Sequence, residues 1–163
     1  MVACLTDRVT DVVVLLAIVL NALQAGTYYT WASGVMPGLA RVGDRTFVDA
    51  IQEMNRAIVN PVFMLSFLGA PAASVVAVVL VDGTARWWAV VAGVLSLATI
   101  VVTFAGNIPL NNRIDTAGRP DEVADLAAVR RAFEPGWVRL NAVRAVTSTL
   151  ATAGFGWAAL TGV

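Results

Sequence analysis

The sequence contains no histidine, no lysine and a single cysteine, Cys4. Without histidine the chain has no ligand for histidine-bound haem or zinc, no 2-His-1-carboxylate iron site and no Ser-His-Asp triad. A lone cysteine forms neither an intrachain disulfide nor a cysteine-rich metal site. No cluster of carboxylates with the spacing of metal ligands is visible either, so we expect no metal site.

Charge is scarce as well. Charged residues make up 13% of the chain and hydrophobic residues 58%, whereas soluble domains are about 25% charged and about 45–50% apolar. Eleven acidic residues balance eleven arginines, so nothing indicates binding to nucleic acid. A chain of 163 residues is one domain in length and is too small to bury this much apolar surface in water. We therefore predict a single transmembrane domain over residues 1–163, with the lipid bilayer as a partner.

Four runs without charge predict four transmembrane helices. The runs are Val12 to Ala40, Ala57 to Val81, Trp87 to Asn112, and Ala145 to Val163, the last extending back to about Gly136. A helix of about 20 residues crosses a bilayer, and backbone in lipid must satisfy its own hydrogen bonds. Two connecting segments, Arg45–Asn60 and Pro120–Phe133, are amphipathic at helical spacing. The predicted fold is thus an all-α membrane protein, a bundle of four transmembrane helices with two short amphipathic interfacial helices.

The arginines are unevenly divided between the two predicted sides of the membrane. One side carries Arg8 and Arg86, and the other carries Arg41, Arg45, Arg56, Arg113, Arg119, Arg130 and Arg131. The positive-inside rule places the arginine-rich side in the cytoplasm. We therefore expect a multi-pass protein of the cell membrane with both termini outside.

Polar residues within the predicted spans lie on single helical faces. The first span carries Asn21, Gln24, Tyr28 and Trp31 on one face, and the last carries Trp137, Asn141, Arg144 and Ser148. Asn107 and Asn111 are one turn apart in the third span, while Asn55 and Asn60 lie where the first amphipathic helix meets the second span. All of these groups lie towards the arginine-rich side, which predicts one pocket there. Polar groups in a membrane typically mark a functional site, although amides also hold helices together.

Two prolines support a pocket at this level. Pro61 disfavours helical backbone at Asn60, and Pro109 removes a helical hydrogen bond between Asn107 and Asn111. Irregular backbone at membrane depth is tolerated where it is buried or lines a cavity. We therefore expect the third helix to open near Pro109.

The run Gly106-Asn-Ile-Pro-Leu-Asn-Asn-Arg113, followed by Trp137-x3-Asn141-x2-Arg144, resembles the anthrone oxygenase family. Gly26-Thr-Tyr-Tyr and the Asn55…Asn60-Pro61 pattern fit the same family, so the resemblance covers nearly the whole chain. The chain departs from many members in having no second tryptophan close to Trp137. Members with assigned roles are small membrane-bound oxygenases that convert an anthrone to an anthraquinone with molecular oxygen, without flavin, haem or metal.

The resemblance implies an oxygenase with no cofactor, whose partners are a hydrophobic aromatic small molecule and O2. In that reading Arg144, Asn141 and Asn107 stabilise an enolate oxygen, with Asn111 as a fourth catalytic residue. The substrate-binding candidates are Trp137, Tyr28, Trp31, Gln24, Asn60 and Asn55. The base remains open between a tyrosine, Glu134, Asp115 and water held by Asn111. The alternative function is a small membrane transporter, or a protein that binds a hydrophobic ligand without catalysis.

Overall fold

The computed structural model describes residues 2–162, with side chains from residue 7 to residue 162. Cys4 lies in a helix, but its side chain is outside the described part. Between residues 2 and 162 the chain is helical throughout, with turns and short connections and no strand. The all-α prediction is therefore confirmed.

Seven α-helices and two π-helical turns follow one another along residues 2–162. Helix α1 (Val2–Thr30) continues through a π-turn (Trp31–Val35) into α2 (Met36–Leu39), and is followed by α3 (Asp44–Ile58) and α4 (Pro61–Leu80). Helix α5 (Ala85–Val102) continues through a second π-turn (Thr103–Asn107) into α6 (Ile108–Asp115), and α7 (Leu126–Leu160) ends the fold. The long helices form a ring in which α1 packs on α4, α4 on α5, α5 on α7 and α7 on α1.

Within residues 7–162, three helical stretches are long and apolar enough to cross a membrane. They are Asp7–Leu39, Pro61–Leu80 and Ala85–Asp115. Helix α7 is 35 residues long, but Arg144 and its serine, threonine and glycine residues lower its hydropathy. Length and composition thus support three of the predicted spans, and a fourth span through α7 stays a prediction.

The bundle is apolar on the outside and carries polar groups inside. Its exposed side chains include Val12, Leu15, Leu65, Val79 and Val101, whereas its buried ones include Asn21, Ser74, Ser96, Asn141 and Ser148. Asn21 Nδ2 donates to Ser74 Oγ at 3.0 Å, which joins α1 to α4 inside the bundle. Large exposed apolar surfaces mark contact with other apolar material, and here lipid is the solvent that fits.

Helix α3 covers the arginine-rich end of the bundle and confirms the amphipathic helix predicted over Arg45–Asn60. Phe47, Val48 and Ile51 are buried against α6 and α7. Gln52 Nε2 donates to the carbonyls of Ile114 at 2.8 Å and Gly118 at 3.0 Å. These contacts hold α3 across the ends of α6 and α7.

Arg130, near the start of α7, fixes the connection that leads into α3. Its guanidinium donates to Glu134 at 2.7 Å, to Asp44 at 3.1 Å and to the carbonyl of Val42 at 2.9 Å. The hydrogen bond to Glu134 is the main cause that raises the pKa of Arg130, and the bond to Asp44 adds to it. Arg130 therefore has a structural role, and Glu134 is its partner.

The second predicted interfacial helix, Pro120–Phe133, is wrong as a separate element. Residues 120–125 form turns, and the helix begins at Leu126 because the Asp125 carboxylate caps it, accepting from the Ala128 backbone N–H at 2.8 Å. From there α7 runs without a break through Pro135 to Leu160. The predicted second span also begins later than expected, at Pro61, because residues up to Ile58 belong to α3.

Candidate functional site

A cavity of about 270 Å³ lies at the end of the bundle that α3 covers. Most ligand pockets measure about 300–1,000 Å³ and are lined mainly by apolar and aromatic side chains with a few polar groups. This cavity has that character at a small size. Its aromatic wall consists of Tyr28, Trp31, Phe63, Phe67 and Trp137, from α1, the first π-turn, α4 and α7.

Arg144 forms the cationic part of the wall. It is 7% exposed, and its guanidinium carbon lies 4.3 Å from the Tyr28 ring centroid and 5.4 Å from that of Trp137. Among the described side chains no carboxylate pairs with Arg144, and its Nε has no hydrogen-bond partner. Cation–π contacts stabilise a buried charge only in part, so an electron-rich oxygen in the cavity would complete this environment.

Asn141 lies behind Arg144 and holds it in place without lining the cavity. Its Oδ1 accepts from Arg144 Nη2 at 2.9 Å, and its Nδ2 donates to the Tyr28 carbonyl at 3.0 Å. Gln24 has a comparable place behind Tyr28, since its Oε1 accepts from the Tyr28 hydroxyl at 2.6 Å. Gln24 Nε2 in turn donates to Ser66 Oγ at 2.9 Å. Both amides therefore orient cavity-lining side chains.

Asn55, Asn111 and Asp115 form the polar part of the wall. Asn111 Oδ1 accepts from Trp137 Nε1 at 2.8 Å, and the Trp137 ring lies 5.0 Å from that of Trp31 between centroids. Asn55 Nδ2 contacts Asp115 Oδ1 at 3.4 Å, and both residues line the cavity. Of the two acids considered from the sequence, Asp115 faces the cavity, whereas Glu134 pairs with Arg130.

Asn107 and Asn60 do not line the cavity. Asn107 is 1% exposed, and neither polar atom of its side chain has a partner. It ends the π-turn whose first residue, Thr103, does line the cavity. Asn60 caps α4, because its Oδ1 accepts from the Phe63 N–H at 3.0 Å, and its extended backbone (φ −130°, ψ 160°) confirms the effect expected of Pro61.

Both π-turns border the cavity, and each ends two residues before a proline. The turn Thr103–Asn107 precedes Pro109, and the turn Trp31–Val35 precedes Pro37. A proline in a helix lacks an N–H and crowds the carbonyl four residues earlier, which favours a locally wider turn. The opening expected near Pro109 is confirmed. The turn at Trp31 was missed, and Pro37 is the sequence signal that would have found it.

The cavity thus unites Arg144, Asn111, Trp137, Tyr28, Trp31 and Asn55 among the residues predicted from the sequence. Phe63 and Phe67, which belong to the aromatic wall, were not predicted from the sequence. Phenylalanine in an apolar span looks the same whether it faces lipid or a cavity, so only their i, i+4 spacing on α4 hinted that they share a face. Within residues 7–162 no group of three histidine, cysteine or acidic side chains is placed to hold a metal ion.

A sequence model of anthrone oxygenases matches residues 60–154. The chain belongs to the anthrone oxygenase family. No curated protein and no solved structure matches it. The matched part begins at the residue that caps α4 and includes most of α7. It therefore contains Arg144, Asn141, Asn111 and Trp137. The walls contributed by α1 and α3 lie before the matched residues.

Proposed function

We propose that this protein is a membrane-bound oxygenase that oxidises the ring methylene of an anthrone-like aromatic to a carbonyl with O2, without a metal or organic cofactor. The observation that carries the proposal is Arg144, a buried cation in the wall of an aromatic-lined cavity, with no carboxylate partner among residues 7–162. Membership of the anthrone oxygenase family supports the reaction class.

The proposal places the site in a bundle of four transmembrane helices, with α7 as the fourth. Helix α7 packs along α1 and α5, both of which belong to apolar spans. Its far end contributes Phe155 and Ala158 to the apolar core with Val14 and Ala89. A helix that packs this way along its length follows its neighbours across the membrane, and Arg144 then lies inside the bundle at the level of the cavity.

The residues of the cavity fit the first step, removal of a proton from the ring methylene. In this proposal the aromatic wall holds flat rings, and Arg144 with the amide of Asn111 stabilises the negative charge that develops on the enolate oxygen. Preorganised donors in a site with little water stabilise such charge far more than water does. Asp115 is the proton acceptor that the geometry favours, because it is the acid among those considered that faces the cavity.

The second step transfers electrons from the substrate to O2. The enolate carbon forms a bond to one oxygen atom, which gives a peroxide after protonation. Loss of water then breaks the O–O bond and leaves a carbonyl at the former methylene. The balance is CH2 + O2 → C=O + H2O, in which the carbon loses four electrons and O2 gains four, so no further oxidant is needed.

Oxygen uptake by the protein in phosphatidylcholine vesicles, supplied with an anthrone and a metal chelator, tests the proposal. Arg144→Ala removes the cation of the cavity, and we expect a fall in turnover of about 100-fold, the effect of losing one oxyanion donor. Arg139→Ala is the matched control, because Arg139 is exposed on the same helix. Circular dichroism checks that both variants keep their helices.

Wild-type uptake no faster than the spontaneous background would overturn the proposed oxygenase. Equal turnover of the two arginine variants would remove Arg144 from the reaction. In the first case the alternative is transport or binding of a hydrophobic ligand, and flux of the same aromatic across protein-containing vesicles separates these two.

A further inference from the structure

The cavity has two chemically different sides. Asn55, Asn111, Asn112 and Asp115 form a polar side, and Asn112 is exposed. The other side is made by apolar residues where α3 passes into α4, namely Ile58, Val59, Phe63 and Met64. If the cavity opened only to water, its rim would not need to be apolar. The two sides therefore indicate two routes, one to water and one to lipid.

The apolar side lies at a gap in the packing of the bundle. Helix α3 packs mainly on α6 and α7, whereas α4 packs mainly on α1 and α5. Only Val59 and Asn60 connect α3 to α4 along the chain. Val59 is 68% exposed and lines the cavity, while Val62, 83% exposed, lies just beyond it and does not. The α4 side of the gap is therefore apolar and suited to lipid, with Val59, Val62 and Leu65 exposed, whereas the exposed pair Arg56–Glu53 lies on the α3 side.

A row of phenylalanine rings leads from the outer surface to the cavity. Phe104, on the second π-turn, is 55% exposed. Its ring centroid lies 6.0 Å from that of Phe67, which in turn lies 5.5 Å from that of Phe63 with the two rings nearly parallel. Phe63 and Phe67 both line the cavity. Phe63 and Phe67, at the cavity end of this row, offer stacking contacts to a flat ring that has passed Val59.

We propose that the flat apolar substrate enters the cavity sideways from the bilayer, across Val59 and along Phe63 and Phe67, while the polar side exchanges protons and water. The identity of this ligand rests on the proposed function; the route itself rests on the packing. An aromatic of this kind concentrates in lipid because apolar surface leaves water spontaneously. A lateral opening spares it a return to water before each turnover.

Binding of an anthraquinone, which does not react with O2 in this way, tests the route independently of catalysis. The protein is placed in phosphatidylcholine vesicles with Trp87, Trp88 and Trp157 changed to phenylalanine, so that fluorescence reports Trp31 and Trp137 in the cavity wall. Val59→Arg puts a charge on the apolar rim, and we expect association about tenfold slower because charge is unfavourable in an apolar path. Val62 is also exposed but lies outside the cavity, so Val62→Arg is expected to leave association within about twofold of the parent rate.

Equal association rates for the two valine variants, whether slowed or not, would overturn the lateral route. If Val59→Arg prevents insertion of the protein into the membrane, Val59→Gln replaces it. Its polar side chain also hinders passage of the apolar probe, though less than arginine does, so the comparison with the variant at position 62 still applies. If the wild type takes up no oxygen, but the anthraquinone associates slowly with Val59→Arg and at the parent rate with Val62→Arg, the oxygenase is refuted and the lateral route is supported. If the wild type takes up oxygen, but the anthraquinone associates with Val59→Arg at the parent rate, the oxygenase is supported and the lateral route is refuted.

Discussion

At the residue scale, Arg144 is a buried charge that its neighbours compensate only in part. A buried guanidinium is normally compensated by a carboxylate and a full set of hydrogen bonds. Arg144 has the Asn141 amide, the hydroxyl and ring of Tyr28 and the ring of Trp137 instead, and its Nε is unpaired among the described residues. A chain that keeps such a charge inside a membrane protein has a use for it, and the cavity beside it supplies one.

Asn141 gives a prediction about how Arg144 is positioned. Asn141→Ala removes one buried bond to Arg144 and one to the Tyr28 carbonyl, so we expect a loss of about 1–3 kcal/mol in the free energy of unfolding. Turnover should also fall, since Arg144 loses its orientation. Thr149→Ala, at an exposed position on the same helix, is the control. Thermal unfolding in detergent and oxygen uptake measure the two effects, and unchanged turnover would show that Arg144 is held by other contacts.

At the element scale, the π-turns decide which side chains reach the cavity. An extra residue in a helical turn changes the direction of every later side chain relative to the earlier ones. In the stretch from α5 to α6, this change brings Thr103 and Asn111 to the cavity and leaves Asn107 buried beside it. π-turns are frequent at functional sites for this reason.

Pro109→Ala tests this role of the second π-turn. Alanine restores the missing N–H and is a strong helix former, so we expect the turn to relax towards a regular α-helix and Asn111 to leave its bond with Trp137. Oxygen uptake should fall although thermal stability is kept or raised. Pro71→Ala, within α4 where no π-turn occurs, should leave uptake unchanged. Similar uptake by both variants would mean that Pro109 does not maintain the turn.

The contact between α5 and α7 gives a second prediction for an element. A Cβ on Gly154 would lie 2.9 Å from the Cβ of Ala92, whereas a Cβ on Gly156 would meet nothing within 4 Å. Ala92 cannot move without its helix, so Gly154→Ala should destabilise the protein by about 1–3 kcal/mol. Gly156→Ala should be neutral or stabilising by up to about 1 kcal/mol, as alanine is the better helix former. Thermal unfolding in detergent compares them, and a stable Gly154→Ala would show that α5 and α7 separate easily.

At the scale of the whole molecule, the open prediction is the path of the chain through the membrane. With Cys4→Ser as background, single cysteines at Thr84, Arg119 and Thr161 report the three decisive positions, all exposed. We expect a membrane-impermeant maleimide to label positions 84 and 161 in intact cells, and position 119 only after permeabilisation, because the positive-inside rule predicts that the arginine-rich side faces the cytoplasm.

Each departure from that labelling pattern has a distinct meaning. If position 161, like position 119, is labelled only after permeabilisation, α7 does not cross the membrane and the protein has three spans. A fully reversed pattern would keep four spans and invert the orientation.

Composition and periodicity were enough to predict that this is a helical protein for a lipid environment. Apolar runs of the length of a span leave helices as the solution, and a period of 3.6 residues places polar side chains on one face. On these grounds Gln24, Tyr28, Asn141 and Arg144 were predicted to meet at one pocket inside the bundle. All four are buried, but of these only Tyr28 and Arg144 line the cavity. The amphipathic helix α3 was predicted for the same reason.

Local periodicity and the length of each apolar run were sufficient to predict the long helices, α3, their apolar exterior and the helical faces that carry polar groups. Which of these polar groups meet at the cavity was not predictable from the sequence and depends on the packing of the helices. Asn111 lines it while Asn107, one turn away, does not, and Asp115 faces it while Glu134 pairs with Arg130. Those outcomes depend on how each helix is rotated against its neighbours and on the two π-turns, and such rotation is fixed by packing between residues far apart in the chain.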